Sequence, residues 1–330
     1  MRHIALCLMI VGLPMRMVCG GETEGDTPVR LQFRDNGTFR IVQFADIHWS
    51  LGFDKDHMSL DLMGAVLDAE KPDLVVYTGD NLSGGCLLPQ KGLERLASPA
   101  IERGIPWALV FGNHDDEGPV SREKQMEVVQ ALPHCLSVPG PEDVDGVGNF
   151  VLPVHASKDA DNIAALLYFF DSLAYRQHEG EKVYDYIQPA QVRWYKEMSR
   201  GYTEAHGGKP LPALAFFHIP LPEYNDVWEA GKCIGVKQED VCCSPINSGL
   251  FTAMKEQGDV VGVFVGHDHV NDYIGKLDGI YLGYGRGTGF TAYGTEGFPR
   301  GARVVELREG ERRFTTWHRL EDGKVEWQLR

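Results

Sequence analysis

Basic residues are scarce in this chain: 32 lysines and arginines stand against 47 aspartates and glutamates, a formal net charge of −15 over 330 residues. A chain so acidic gains nothing from counterion release on DNA or RNA, so a phosphate-backbone binder is disfavoured and no nucleic-acid partner is expected. An anionic substrate must then be drawn by a local positive centre, which a bound metal supplies. Also absent are internal repeats, low-complexity tracts, runs of like charge and any linker. Their absence argues against a solenoid or a disordered tail and leaves one folded unit. The apolar run Ile4 to Leu13 is too short to span a bilayer, so no stable membrane span is expected in the mature chain.

What that run does fit is a targeting segment. Arg2 and His3 precede it, Pro14 breaks it, and the small residues Cys19, Gly20 and Gly21 follow. Residues 1–25 therefore read as a signal peptide, 26–330 as a single domain, and the protein as exported, periplasmic or secreted. Of seven cysteines, five lie beyond that segment: Cys86, Cys135, Cys233, Cys242 and Cys243. An odd number excludes complete internal pairing, and the spacing matches no zinc ribbon. A local bridge from Cys233 to Cys242 or Cys243 and a set of buried thiols both remain open.

From Val29 onward strand and helix patterns alternate, as in an α/β protein. Val29, Leu31 and Phe33 alternate as a strand, and nearly continuous apolar strands are expected over Phe39–Ile47, Leu74–Tyr77, Trp107–Phe111, Leu214–His218 and Val260–Val265. Helical spacing marks Met58–Glu70, Lys91–Glu102, the segment from Ser121 to Leu132, Pro189–Ser199 and Ser248–Lys255. Phe150–Val154 and Ile163–Phe170 read as strands, and the tail from Tyr273 reads as successive strands turning at Asp278-Gly279, Glu309-Gly310 and Asp322-Gly323.

The informative feature is what ends five of these strands: Asp46-Ile47-His48, Gly79-Asp80-Asn81, Gly112-Asn113-His114-Asp115, His218, and Gly266-His267-Asp268-His269. Ligands of α/β proteins bind beyond the carboxyl ends of strands. Residues i and i+2 of a strand point to one side, so Asp46 with His48, and His267 with His269, are each placed to grip an ion together. The mixed imidazole, carboxylate and amide set suits Fe, Mn or Zn. One Asp-x-His alone is weak, but cores avoid His and Asp, and five such sites in order are hard to obtain from packing.

These residues resemble the ordered motifs of the calcineurin-like metallophosphoesterases, D-x-H, G-D, G-N-H-[DE], H and G-H-x-H, over about Phe39 to Gly294. Within them the chain looks closest to the purple-acid-phosphatase-like group of plants and fungi, through Gly112-Asn113-His114-Asp115, Phe217 to Glu223, Asn247-Ser248-Gly249 and Gly266 to Asp272. The resemblance implies a four-layer α/β/β/α sandwich with two mixed sheets. It also implies two metal ions, one on Asp46, His48, Asp80 and His269, the other on Asp80, Asn113, His218 and His267. Such a pair lowers the pKa of a bridging water, and the resulting hydroxide attacks phosphorus in line. His114 would stabilise the transition state and protonate the leaving group. An imidazole beside two cations is repelled from taking up a proton, so an acidic partner is needed, and Asp115, Asp116 and Asp268 are the candidates. The substrate expected is a small phosphorylated metabolite or a phosphoprotein.

The chain departs from true purple acid phosphatases at Ser83, where they carry a tyrosine ligand, and at His48, where they carry glycine. Tyr77 has the wrong parity to substitute. No iron–tyrosinate chromophore is expected. Arg286, in Gly285-Arg286-Gly287-Thr288-Gly289, is a candidate phosphate-binding residue through its guanidinium fork, as is Asn113; Asn271, Asp272 and Glu223 are candidates for orienting the imidazoles. The rival functions are a phosphodiesterase acting on cyclic or diphosphate nucleotides and a non-catalytic metal-binding protein.

Overall fold

The computed structural model describes residues 29–330. The proposed signal peptide and its boundary at residue 25 lie outside that range. In chain order the elements are β1 (Thr38–Phe44), α1 (Asp54–Glu70), β2 (Leu74–Thr78), α2 (Pro89–Ile101), β3 (Trp107–Val110), α3 (Arg122–Gln130), β4 (Phe150–His155) and β5 (Ile163–Phe169). There follow β6 (Tyr175–His178), β7 (Glu181–Tyr184), α4 (Pro189–Ala205), β8 (Ala213–Phe216), α5 (Glu223–Glu229), α6 (Leu250–Gln257) and β9 (Val260–Val265). The tail comprises β10 (Ile274–Leu277), β11 (Ile280–Tyr284), β12 (Gly301–Arg308), β13 (Phe314–Leu320) and β14 (Val325–Leu329).

Period-two alternation within buried strands builds the layers. In β1, Phe39 and Ile41 face one core while Val42 and Phe44 face another; β2 divides Leu74 and Val76 from Val75 and Tyr77 in the same way. One set meets β5 and β8 through Leu167, Phe169, Leu214 and Phe216, forming a core between two sheets. The other set packs on Leu62, Met63 and Val66 of α1 and Leu93 and Leu96 of α2. The second sheet buries its outer face under Trp194 and Tyr195 of α4, Tyr224 of α5 and Leu250 of α6. The two sheets, ordered β14-β13-β12-β1-β2-β3 and β10-β11-β9-β8-β5-β4, are both mixed, so the α/β/β/α layering expected is observed.

Local differences have local reasons. Val29–Phe33 forms no strand, only an isolated bridge from Gln32 to His155. The β6–β7 hairpin escapes the hydrophobic pattern because Arg176, Gln177, Glu181 and Lys182 make it polar, although Glu179-Gly180, both at positive φ, is a hairpin turn signal. All five described cysteines are free. No helix among the described residues is long and apolar enough to cross a membrane.

One buried cation ties the tail to the second sheet. Arg303 of β12 donates to the carbonyls of Tyr284 (2.5 Å) and Asp272 (2.9 Å), to Gln328 Oε1 (2.7 Å) and to Thr316 Oγ1 (3.0 Å). Truncation to alanine would strand these acceptors without water. Arg303→Ala is expected to cost about 3–5 kcal/mol of unfolding free energy, measured by urea denaturation. A loss near zero would mean that water re-satisfies the site.

Candidate dinuclear metal centre

The carboxyl ends of β1, β2 and β3 in one sheet meet those of β8 and β9 in the other. β1 stops at Phe44, before the first motif, so the pleat is not what turns Asp46 and His48 to one side. They converge because both adopt left-handed backbone, φ 56° and 50°, as do Asp80 (47°) and His267 (79°). Non-glycine residues held there cost of order 1–3 kcal/mol each and concentrate at functional sites. Hydrogen bonds hold the strained turns: His48 N–H donates to the Asp80 carbonyl (2.9 Å) within one sheet, and His267 N–H donates across the sheets to Asp46 Oδ1 (2.9 Å). Gly112 has no room for a side chain, since a Cβ there would lie 2.2 Å from Asp80 Oδ1.

Two groups of donor atoms result, sharing Asp80: Asp46, His48, Asp80 and His269, and Asp80, His218 and His267, with donors in each group within 4.8 Å of one another. His267 and His269 thus fall in different groups, against the i, i+2 reading and in accord with the family pattern. His48 Nε2 lies 3.2 Å from His269 Nε2 and 3.4 Å from Asp80 Oδ2. His218 Nε2 lies 3.2 Å from Asp80 Oδ2 and 3.1 Å from Asn113 Oδ1. The amide of Asn113 is oriented by donating its Nδ2 to the Tyr175 hydroxyl at 2.8 Å, which turns its oxygen inward.

This donor set fits two cations. His218 donates Nδ1–H to the Thr78 carbonyl (2.8 Å), and His269 Nδ1 faces the Tyr293 carbonyl (3.3 Å). Each therefore turns Nε2 toward carboxylates and other imidazoles, as metal-binding histidines do. Burial holds His48 down to about 4, His267 to about 3 and His269 well below the usual imidazole range, so three rings are neutral donors at pH 7. Burial pushes Asp46 up to about 7. His218 is the exception: burial opposes its protonation, but Asp80 prevails and raises it to about 9. Asp80 is held well below the carboxylate range by His218 although burial works the other way. In the metal-free chain that proton stands where a cation would.

A pH prediction follows. Above about pH 7.5 the three depressed histidines are neutral folded and unfolded and contribute no further change. Asp46 and Asp268, both raised to about 7 by burial, lose their folded-state protons as the pH passes through that value, and His218 gives up its stabilising proton as it approaches 9. Metal-free protein should therefore lose Tm from about pH 7.5 to 9, while metal binding, which needs those protons gone, adds a growing increment. Scanning fluorimetry with and without chelator checks this; a constant increment would contradict it.

His114 shows where sequence reasoning went astray. Its Nδ1 meets Glu117 Oε2 at 2.7 Å, not any of the three aspartates expected. Asp115 is buried and accepts from the backbone of Leu82 (2.8 Å) and Gly112 (2.7 Å) and from Asn81 Nδ2 (3.0 Å), which makes it a brace of the turn and not a partner of His114. Asp116 pairs with Arg122 at 3.3 Å, and Asp268 accepts from the Tyr284 hydroxyl at 2.6 Å. Gly84 makes room for the His114–Glu117 pair, because a Cβ there would fall 2.2 Å from Glu117 Oε2. The spacing i, i+3 was the available signal for Glu117.

Arg286 is also corrected as a phosphate-binding candidate. It is 3% exposed, bonded to Asp272 and to the Pro299 carbonyl, and capped by the Phe298 ring at 3.4 Å, so its guanidinium is consumed internally. Asn271 and Asp272 brace the 236–239 loop by accepting from Gln238 and Val236 backbone, and Glu223 accepts from Asn247; the imidazole that Asp272 does approach, His318 at 3.5 Å, belongs to neither donor group. Ser83 donates to the His48 carbonyl (2.5 Å), and the Tyr77 hydroxyl donates to Leu96 on the α2 side, which leaves both away from the donor groups.

A family model described as "Calcineurin-like phosphoesterase" matches residues 39–271. The chain is 38% identical to "Probable inactive purple acid phosphatase 29" of Arabidopsis thaliana, with 89% of this chain and 85% of that protein covered. It is 35% identical to "Phosphatase DCR2" of Saccharomyces cerevisiae, covering 90% of this chain and 56% of that one. Among solved structures it resembles a dimetal phosphatase from Danio rerio with a TM-score of 0.59 at 14% identity, covering 88% and 98% of the two chains, a likeness of fold.

Proposed function

Because the chain belongs to the calcineurin-like phosphoesterase family and is a metal-dependent phosphoesterase, we propose that it hydrolyses phosphate monoesters of a small metabolite or a phosphoprotein. The observation that carries this reading is the convergence of two donor groups on Asp80 with His114 beside them, its ring 5.4 Å from that of His48. When bound, two ions of Fe, Mn or Zn supply Lewis acidity to phosphoryl oxygens and an activated water. Asp46, His48 and His269 would hold one, His218, His267 and Asn113 the other, with Asp80 between them. Glu117 accepts from His114 Nδ1 and so leaves Nε2 as the atom that gives a proton to the departing oxygen. Tyr175 keeps the Asn113 oxygen aimed inward. The signal-like segment at residues 1–25 supports export.

Several plant relatives bear "inactive" in their names, yet every donor and the His114–Glu117 pair are present here, which favours turnover. Hydrolysis of p-nitrophenyl phosphate and bis-p-nitrophenyl phosphate, with each metal added in turn, tests the reading. Preference for the monoester is expected. Preference for the diester would sink it in favour of a phosphodiesterase, and no turnover with any metal would favour a binding protein.

A further inference from the structure

The cleft over the two donor groups has aromatic walls that metal binding does not require. On one side Tyr293 lies flat against His269, ring centroids 3.9 Å apart at 21°, and its hydroxyl donates to Glu239 Oε2 at 2.7 Å. The ring is anchored on one face, yet the residue remains 56% exposed. On the other side Tyr184 stands edge-on to His267 at 4.4 Å and 90°. Its cross-strand neighbour Tyr175 backs it at 5.5 Å, so the β6–β7 hairpin fixes this wall.

The space between is about 220 Å³, completed by Cys242, Thr291 and Ala292, and no lysine or arginine lines it among the described residues. That is below the ~300–1,000 Å³ of drug-sized pockets, and it suits a phosphoryl group carrying a single ring. Asp268 lines the cleft and Glu239 holds Tyr293, so the lining side chains offer carboxyl groups and aromatic rings but no lysine or arginine. A leaving group bearing further phosphates finds no lysine or arginine in this lining to pair with, whereas a flat, uncharged ring finds π faces to stack on.

We propose that Tyr293, facing Tyr184 across the cleft, selects phosphate monoesters of planar aromatic alcohols. This rests on the phosphomonoesterase reading and names its substrate class. Phosphotyrosine, free or within a peptide, carries the required chemistry, and Tyr293 is the residue on which the preference depends.

Aryl phosphates also hydrolyse faster because phenolates leave easily, so binding is the measure and not turnover. The manganese-loaded full chain is titrated calorimetrically with phenylphosphonate and with methylphosphonate. Phenylphosphonate should bind about tenfold tighter. Tyr293→Ala should bring the ratio of the two affinities close to one, and Tyr293→Phe should keep it, because the ring and not the hydroxyl does the selecting. Equal affinities in the parent protein overturn the proposal. So does a ratio retained in Tyr293→Ala while both affinities fall, which would mean that Tyr293 only orients His269. Displacement of phenylphosphonate by phosphotyrosine or by a phosphotyrosyl peptide supports the proposal and separates the two sources; equal displacement by phosphoserine counts against it. These readouts need no turnover, so a preference for diesters in the hydrolysis assay remains a separate result.

Discussion

Asp80→Asn is expected to lower kcat by about a thousandfold or more and to leave less than one metal ion per chain by elemental analysis. The estimate starts from the 10- to 100-fold that loss of even an outer-shell partner costs; Asp80 is the one residue common to both donor groups, so its loss touches both ions. The change is nearly isosteric, and an amide oxygen can still accept from His114 N–H, which Asp80 Oδ1 does now at 2.9 Å. Folding should therefore survive. In metal-free protein the variant removes a fully buried carboxylate along with its His218 partner interaction, so its chelated Tm should change little compared with its metal-loaded Tm. Retention of two metals and near-parental kcat would remove Asp80 from the centre.

The second large effect is expected at His114. Replacement by alanine should reduce kcat by about 10²- to 10⁴-fold while metal content and KM stay close to parental values, because the imidazole belongs to neither donor group. Glu117→Gln should cost less, about tenfold, because an amide oxygen can still accept from Nδ1 at the 2.7 Å contact and keep the ring in place. Asp115→Asn supplies the contrast: it should act on stability through the Leu82 and Gly112 bonds, with kcat close to parental. Loss of metal in His114→Ala, or a kcat that falls in Asp115→Asn and not in Glu117→Gln, would reverse these roles.

The fold was largely legible because its strands are buried on both faces and read as short apolar runs: Val260–Val265 runs as expected, and the tail turns at Asp278-Gly279, Glu309-Gly310 and Asp322-Gly323. The β6–β7 hairpin was not, since its half-exposed strands carry charge at positions a buried strand would leave apolar. The ligand types were legible for a related reason. Histidine and aspartate are expensive in a core, so their recurrence after buried strands announces a shared purpose before any coordinates exist.

Which residues touch was another matter. The sequence by itself determined that Asp46, His48, Asp80, Asn113, His218, His267 and His269 end apolar strands, and that the architecture is α/β. Only the tertiary structure decided that Glu117 and not Asp115 reaches His114, that Arg286 is spent on Asp272, and that Tyr293 lies on His269. The reason is that left-handed turns and cross-sheet hydrogen bonds set side-chain direction at this site, and neither follows from the period-two or helical spacing along a single strand or helix.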